Sequence, residues 1–461
     1  MAHIILVNPQ IANAAWGAGH HPKTMEEALP RHSLTHLSAV LKEAGHKVSL
    51  LDLRLLAGWE QYGQTLKTAR PDVVCVTAHT LEVEIALECL VRAKREVRNC
   101  TTIAGGIHFT MFPEAALNSG AVDSVLRGEG EWTLPRVIAS PGDFDPVIWG
   151  QPPDLNSLPF EDRSLYPDYC KRILFPLWEL PLPTVDLLTG RGCPWSCRFC
   201  CGPGEKNLYT KASSQNPTKR IPYIRRRSVD HVMAELKELD RCYGFCSVIF
   251  HDDQFLMKPD WVMRFCERLH REGYVRRGLR WWAASRSDMI CRHPETVKAM
   301  KEAGLKVLSV GFESFNDDVL AWLRKGVDRD TNLKAAEICH QFGVEIYANV
   351  IFGIPRDDGK WYIEDDLISA KAIEQMRPRY FSPSFFNAVP GSWFFEWAKE
   401  NDLFQNELLA KRGSRCLAQC WIKGVDYHKL GELIHRLQHK LNRPWHSRLR
   451  SFFRNRNLTA L

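Results

Sequence analysis

Two spacings of hydrophobic residues alternate along the first third of this 461-residue chain. Short apolar, β-branched runs come at Ile4-Ile5-Leu6-Val7, Val48-Ser49-Leu50-Leu51, Val73-Val74-Cys75-Val76, Thr101-Thr102-Ile103-Ala104 and Val122-Asp123-Ser124-Val125-Leu126. Between them, apolar residues recur at helical spacing, for example over 34–44, 81–97 and 114–119. Strands alternating with helices in this way predict a doubly wound parallel sheet over 1–140. Ligands of such sheets bind outside the carboxyl ends of the strands. Asn8-Pro9, Thr77 to Thr80 and Gly105-Gly106-Ile107-His108-Phe109-Thr110 fall at those ends.

Residues 141–183 lose the periodicity and gain turn formers, Gln151-Pro152-Pro153-Asp154 among them, and read as a linker. The alternation then resumes over 184–385. Strands are expected at 185–189, 247–251, 280–284, 306–311, 345–352 and 379–384, and helices at 229–243, 259–272, 294–303 and 331–342. Six such units suggest a parallel, partly closed (β/α)6 barrel, with polar groups at the strand ends lining one cavity. The fold class is therefore α/β, with a helical extension over 386–461.

Composition narrows the class without naming a function. Hydrophobic residues make up 45% and charged residues 25% of the chain, as in soluble globular proteins. No apolar run approaches the roughly 20 residues that cross a bilayer. Met1 to Pro9 reads as a first strand and not as a signal peptide, so a cytoplasmic location is expected. Fifteen scattered cysteines in so long a chain then read as reduced thiols. The net charge of +7 is too modest to imply nucleic-acid binding.

The chemistry concentrates in Arg191-Gly192-Cys193-Pro194-Trp195-Ser196-Cys197-Arg198-Phe199-Cys200, a Gly/Pro loop directly after the first barrel strand. Three cysteines spaced four and three apart can aim their thiolates at one centre. A structural zinc site almost always takes four ligands. A four-iron cluster on three cysteines keeps one iron open. Cys201 exceeds the pattern and is expected to stand apart from the ligand set.

This CxxxCxxC loop resembles the signature of the radical S-adenosylmethionine (SAM) enzymes. The resemblance implies a [4Fe-4S] cluster on Cys193, Cys197 and Cys200, with SAM chelated by the open iron and Phe199 near the adenine. It extends to successive strand ends. Asp252 and Asp253 end the second strand, and alternation leaves open which of them faces the cavity. Arg286 ends the third, where its planar fork could pair with the SAM carboxylate. Glu313 ends the fourth, and Gly353 and Pro355 follow the fifth in a turn whose backbone would meet the adenine.

The first 140 residues resemble the cobalamin-binding domain that precedes many radical SAM cores. The matching elements are Asn8-Pro9 after the first strand, Thr77 after the third, Gly105-Gly106-Ile107-His108 with Thr110 after the fourth, and Gly128-Glu129-Gly130-Glu131 after the fifth. Paired glycines let backbone approach a large flat ligand. The Asp-x-His-x-x-Gly loop of other cobalamin enzymes is absent, and His20 and His21 lack its spacing, so no axial histidine from that loop is expected.

By this resemblance the chain is a cobalamin-dependent radical SAM enzyme. An electron from a flavodoxin- or ferredoxin-type donor would cleave SAM, the 5′-deoxyadenosyl radical would take hydrogen from an unactivated carbon, and methylcobalamin would supply a methyl group. A cyclase, ring-rearranging or oxygen-inserting enzyme, and a non-catalytic cobalamin or redox sensor, are the alternatives. A methylthiotransferase fits less well, because Cys75, Cys89 and Cys100 do not gather at strand ends. The substrate is left open among small molecules, lipids and tetrapyrroles. Trp281, Trp282, Trp393 and Trp397 could line its cavity or fill the core. A Pro-Gly turn at Pro390-Gly391 and the aromatic helix after it would add substrate contacts. Beyond it, Leu430, Leu433, Ile434, Leu437 and Leu441 share a helical face. With Arg443, Arg448, Arg450, Arg454 and Arg456, and Trp445, Phe452 and Phe453 among them, the segment reads as a packed helix with a basic end or a peripheral membrane contact.

Overall fold

A computed structural model of the chain describes residues 1–9, 30–140, 143–166, 169, 179–214, 222–405 and 422–441. Strands β1 (His3–Asn8), β2 (Lys47–Asp52), β3 (Val73–Thr77), β4 (Thr101–Gly105), β5 (Ser124–Arg127) and β6 (Val147–Trp149) form one wholly parallel sheet in the order β2-β1-β3-β4-β5-β6. Side chains alternate across it. Ile4 and Leu6 pack with Leu34 and Leu41 of the helix His32–Glu43 on one face. Ile5 and Val7 pack with Tyr62, Leu66 and Leu90 of the helices Trp59–Ala69 and Val83–Glu96 on the other. Burial on both faces explains why these strands read as unbroken apolar runs. The sheet also takes β6 from the stretch read as linker, where Ile148 fills the core and pairs with Leu126.

The second sheet holds β7 (Thr184–Leu187), β10 (Ser247–Phe250), β11 (Arg280–Ser285), β12 (Leu305–Glu313), β13 (Glu345–Phe352) and β14 (Tyr380–Phe385), again all parallel, in the order β14-β13-β12-β11-β10-β7. Its end strands β7 and β14 do not pair with each other, so the barrel is open along one side. Val248, Phe250 and Trp281 face outward onto Leu236 and Phe265 of the surrounding helices. Ile249, Trp282 and Val307 face the concave side, flanked by Tyr347 and Tyr380. Helix ends follow local signals. Ser228 accepts a hydrogen bond from the His231 amide to start Val229–Tyr243, and Gly244 ends that helix at φ +58°.

A short ribbon, β8 (Gly190–Arg191) with β9 (Arg225–Arg226), frames the cysteine loop. The helix Tyr427–Lys440 buries Leu430, Leu433, Ile434 and Leu437 and packs on the helix Ile363–Met376. That face is covered by protein and is not free to lie on a membrane, which corrects the membrane reading for this helix. The residues from Arg443 onward, like His20 and His21, lie outside the described residues. No helix among the described residues is long and apolar enough to cross a membrane.

Candidate functional site

The carboxyl ends of the two sheets meet across one seam. Arg191, two residues ahead of Cys193, pairs with Glu129 and, at 2.6 Å, with Glu131. Arg225 also pairs with Glu129, and the Tyr209 hydroxyl donates to the same carboxylate at 3.2 Å. Burial works against the Glu131 carboxylate, but Arg191 more than offsets it and holds it below the usual carboxylate range. The Gly128-Glu129-Gly130-Glu131 turn is thus bolted to the cysteine loop of the other domain. Glu129, placed by sequence among the cobalamin residues, spends its side chain on this bridge.

The loop itself is clamped. Gly192 sits at φ +84° with its α-carbon against the Tyr223 carbonyl, where an added Cβ would come within 2.6 Å. The Arg198 guanidinium lies over the rings of Trp322 and Trp393, 4.5 and 4.2 Å from their centroids. Cys193, Cys197 and Cys200 converge closely enough to perturb one another, and burial pushes the Cys193 thiol up to about 11. Cys201, expected outside the ligand set, lies next to it. Its side chain hydrogen-bonds to Cys200, the largest cause raising the Cys200 thiol.

Around the thiols, Arg286 is 3% exposed, stacks 4.5 Å over Trp195, donates to Asp288 at 2.8 Å and reaches the Cys197 sulfur at 3.6 Å. Its fork is therefore largely engaged by protein. Lys325, which sequence reasoning missed, pairs with Glu313 at 3.0 Å and sits 5.7 Å over the Phe199 ring. Phe199 packs in one apolar cluster with Ile354 and Phe386. Asp252 is buried and accepts from the Thr189 amide at 3.0 Å and its hydroxyl at 2.7 Å. Asp253 instead is exposed near the cysteines, where reduced solvation and then the Asp252 charge raise its carboxyl. Gly353, at φ +78°, donates its amide to Asp366 at 3.0 Å, and the Pro355 carbonyl accepts from the Trp322 indole at 2.9 Å.

In the first domain, a cavity of about 260 Å³ opens between the helix His32–Glu43 and the ends of β3, β4 and β5. Thr77, Gly105, Gly106 and Gly128 form its rim, Ile103, Leu126 and Leu134 its apolar depth, and Leu188 and Arg191 of the barrel its far wall. At Gly106, φ is +95° and an added Cβ would stand 2.5 Å from Thr77 Oγ1 and 2.7 Å from the Ala78 amide. Thr110 braces the rim by donating to the Gly106 carbonyl and accepting from the Gly128 amide, both at 2.9 Å. His108 is buried, with Nδ1 3.2 Å from Thr80 Oγ1, and burial lowers it to about 4, so it is neutral at pH 7. Asn8 is fully buried beside Asp52, and Pro9 follows it at the end of β1. A rim with three glycines above an apolar slot suits a broad flat ligand with a deep-reaching arm. Three converging thiols beside the Glu313–Lys325 pair suit an iron–sulfur cluster and a zwitterionic ligand.

Residues 187–364 match the family model of the Radical SAM superfamily, and residues 19–138 that of the B12 binding domain. A radical SAM domain implies a [4Fe-4S] cluster and SAM, and a B12-binding domain implies cobalamin. The chain is 27% identical over 394 residues, 81% of its length, to an uncharacterized methyltransferase, PH0819, of Pyrococcus horikoshii, spanning 79% of that protein. It is 27% identical over 329 residues to the hopanoid C-3 methylase of Methylococcus capsulatus, covering 68% of this chain and 58% of that one. In fold it resembles the radical S-adenosylmethionine methyltransferase TsrM from Kitasatospora setae, solved with cobalamin and a [4Fe-4S] cluster bound. The TM-score is 0.65 at 15% identity, over 95% of this chain and 91% of that one.

Proposed function

Because the chain belongs to the radical SAM enzymes that carry a B12-binding domain, we propose that it is a methyltransferase acting on an unactivated carbon of a small apolar substrate. The observation that carries this reading is the Arg191 bridge, which ties the glycine rim of one domain to the cysteine loop of the other. When bound, the cluster and SAM supply hydrogen abstraction and cobalamin supplies the methyl group; the protein's work is binding, orientation and exclusion of water.

In this reading Cys193, Cys197 and Cys200 hold the cluster. Glu313, paired with Lys325, meets the charged end of SAM, while Phe199 and the Gly353-Ile354-Pro355 turn bracket its adenine. Asp253 accepts a hydrogen bond at the cavity floor, which Asp252, tied to Thr189, is not free to do. Gly105, Gly106 and Gly128 admit the corrin ring. The concave wall of Trp282, Tyr347 and Tyr380 receives the substrate, with apolar bodies that orient a hydrocarbon and keep water out. A flavodoxin- or ferredoxin-type donor supplies electrons.

The test is anaerobic turnover with SAM and reductant. Formation of both 5′-deoxyadenosine and S-adenosylhomocysteine supports methyl transfer. 5′-Deoxyadenosine alone would replace it with a cyclase or rearrangement, and neither product would mark a non-catalytic protein.

A further inference from the structure

Beside the glycine-rimmed cavity, whose wall His32 shares, His32, Asp186 and His251 bring three ligand atoms within 4.8 Å of one another. They come from the first turn of the helix His32–Glu43, from β7, and from just past the end of β10. His32 Nε2 lies 3.3 Å and His251 Nε2 3.6 Å from the same oxygen, Asp186 Oδ2. Both nitrogens stand at ion-pair distance from that oxygen, and none of the three buried atoms makes a hydrogen bond of good geometry.

The spacing is that of a coordination shell. Tetrahedral bonds of about 2.0–2.1 Å to nitrogen or oxygen leave ligand atoms about 3.4 Å apart. The supporting contacts are of the matching kind. His32 Nδ1 bonds Glu161 Oε2 at 2.8 Å, the carboxylate–histidine arrangement that orients a metal-binding imidazole. Thr35 fixes that carboxylate in turn at 2.6 Å. Asp186, fully buried, gives its other oxygen to the Tyr169 hydroxyl, which leaves Oδ2 for a cation.

Charge admits a cation there. The buried carboxylates of Glu161 and Glu235 pair with the guanidiniums of Arg163 and Arg227, while the buried Asp186 meets Arg163 only through its backbone carbonyl. Three buried carboxylates against two guanidiniums leave one negative charge, which is met either by a proton on His32, whose imidazole Glu161 and Asp186 push up against the cost of burial, or by a bound cation. Buried carboxylates are retained only when paired or bound to metal.

We infer that His32, Asp186 and His251 bind one divalent transition-metal ion of the zinc type, oriented through Glu161 and open at a fourth position beside Trp282 on the concave wall. The ion pins the helix of the first domain to two strands of the second. This inference does not depend on methyl transfer or on cobalamin.

The experiment uses the full chain with its iron–sulfur cluster loaded, so that the three cysteines are already occupied, dialysed against chelator and then titrated with zinc alone. The expected result is one zinc per chain surviving gel filtration, with an X-ray absorption edge fitted by nitrogen and oxygen and no sulfur. Glu161→Gln should weaken binding about 10–100-fold, and His251→Gln and Asp186→Asn should abolish retention. His251 is the more exposed histidine, so its variant keeps the test valid if Asp186→Asn misfolds. A wild-type chain that retains no zinc, sulfur in the zinc shell, or equal binding by His251→Gln would overturn the site. The missing positive charge would then be a proton on His32.

Discussion

Arg191 holds Glu129 with one end of its guanidinium and Glu131, at 2.6 Å, with the other, so one side chain of the barrel domain closes the glutamate turn of the first domain. Removing one partner of a buried pair leaves the other charges stranded, which costs about 3–5 kcal/mol. Arg191→Met should lower the thermal midpoint and release cobalamin from the purified protein. Arg191→Lys, which keeps the charge but not the fork, should fall between. Differential scanning fluorimetry and the corrinoid-to-protein ratio read both effects.

Cys197→Ala should end 5′-deoxyadenosine formation while the corrinoid content stays at the wild-type level, because the thiols and the glycine rim belong to different domains. Cys201→Ala separates the neighbouring thiols. If the ligand set is Cys193, Cys197 and Cys200, this variant keeps its iron and sulfide. Loss of iron from Cys201→Ala on elemental analysis would exchange the roles of Cys200 and Cys201.

Gly106→Ala places a Cβ 2.5 Å from Thr77 Oγ1 on a backbone at φ +95°. The strained conformation alone costs about 1–3 kcal/mol, and the displaced rim should close on the corrin site. The expected outcome is a lower thermal midpoint together with loss of cobalamin but not of iron. Gly45→Ala is the control, being also at positive φ but with open space around its Cβ position.

Asp366 gives the fold a pH dependence. Burial raises its carboxyl from 3.8 to about 7 against the Gly353 amide and the Trp361 indole, which donate to it at 3.0 and 2.7 Å. The folded chain therefore keeps a proton that the unfolded chain releases, and stability falls as pH rises from about 4 to about 7, by up to about 1.4 kcal/mol per unit. Thermal unfolding across that window should show the slope, and Asp366→Asn should flatten it.

The barrel strands are legible in the sequence because apolar alternation and strand ends coincide; 345–352 matches β13 end to end. β6 is not legible, since three residues, Val147, Ile148 and Trp149, carry too little pattern in a stretch of turn formers and are held only by pairing with β5. The choice between Asp252 and Asp253 could not be made from alternation, because it rests on Thr189, which claims Asp252 from 63 positions away. Lys325 and the bridging role of Arg191 escaped notice for the same reason, as their partners are set by folding and not by spacing. His32, Asp186 and His251 form no motif at all, coming from three segments that only the packing of the two domains brings together.

The double grip of Arg191 also bears on how such a protein can change over time. A charge reversal there would need two compensating replacements about sixty positions upstream, in the other half of the chain. Swapping either half for its counterpart from a distant homologue should therefore give an insoluble hybrid unless arginine and both glutamates travel together.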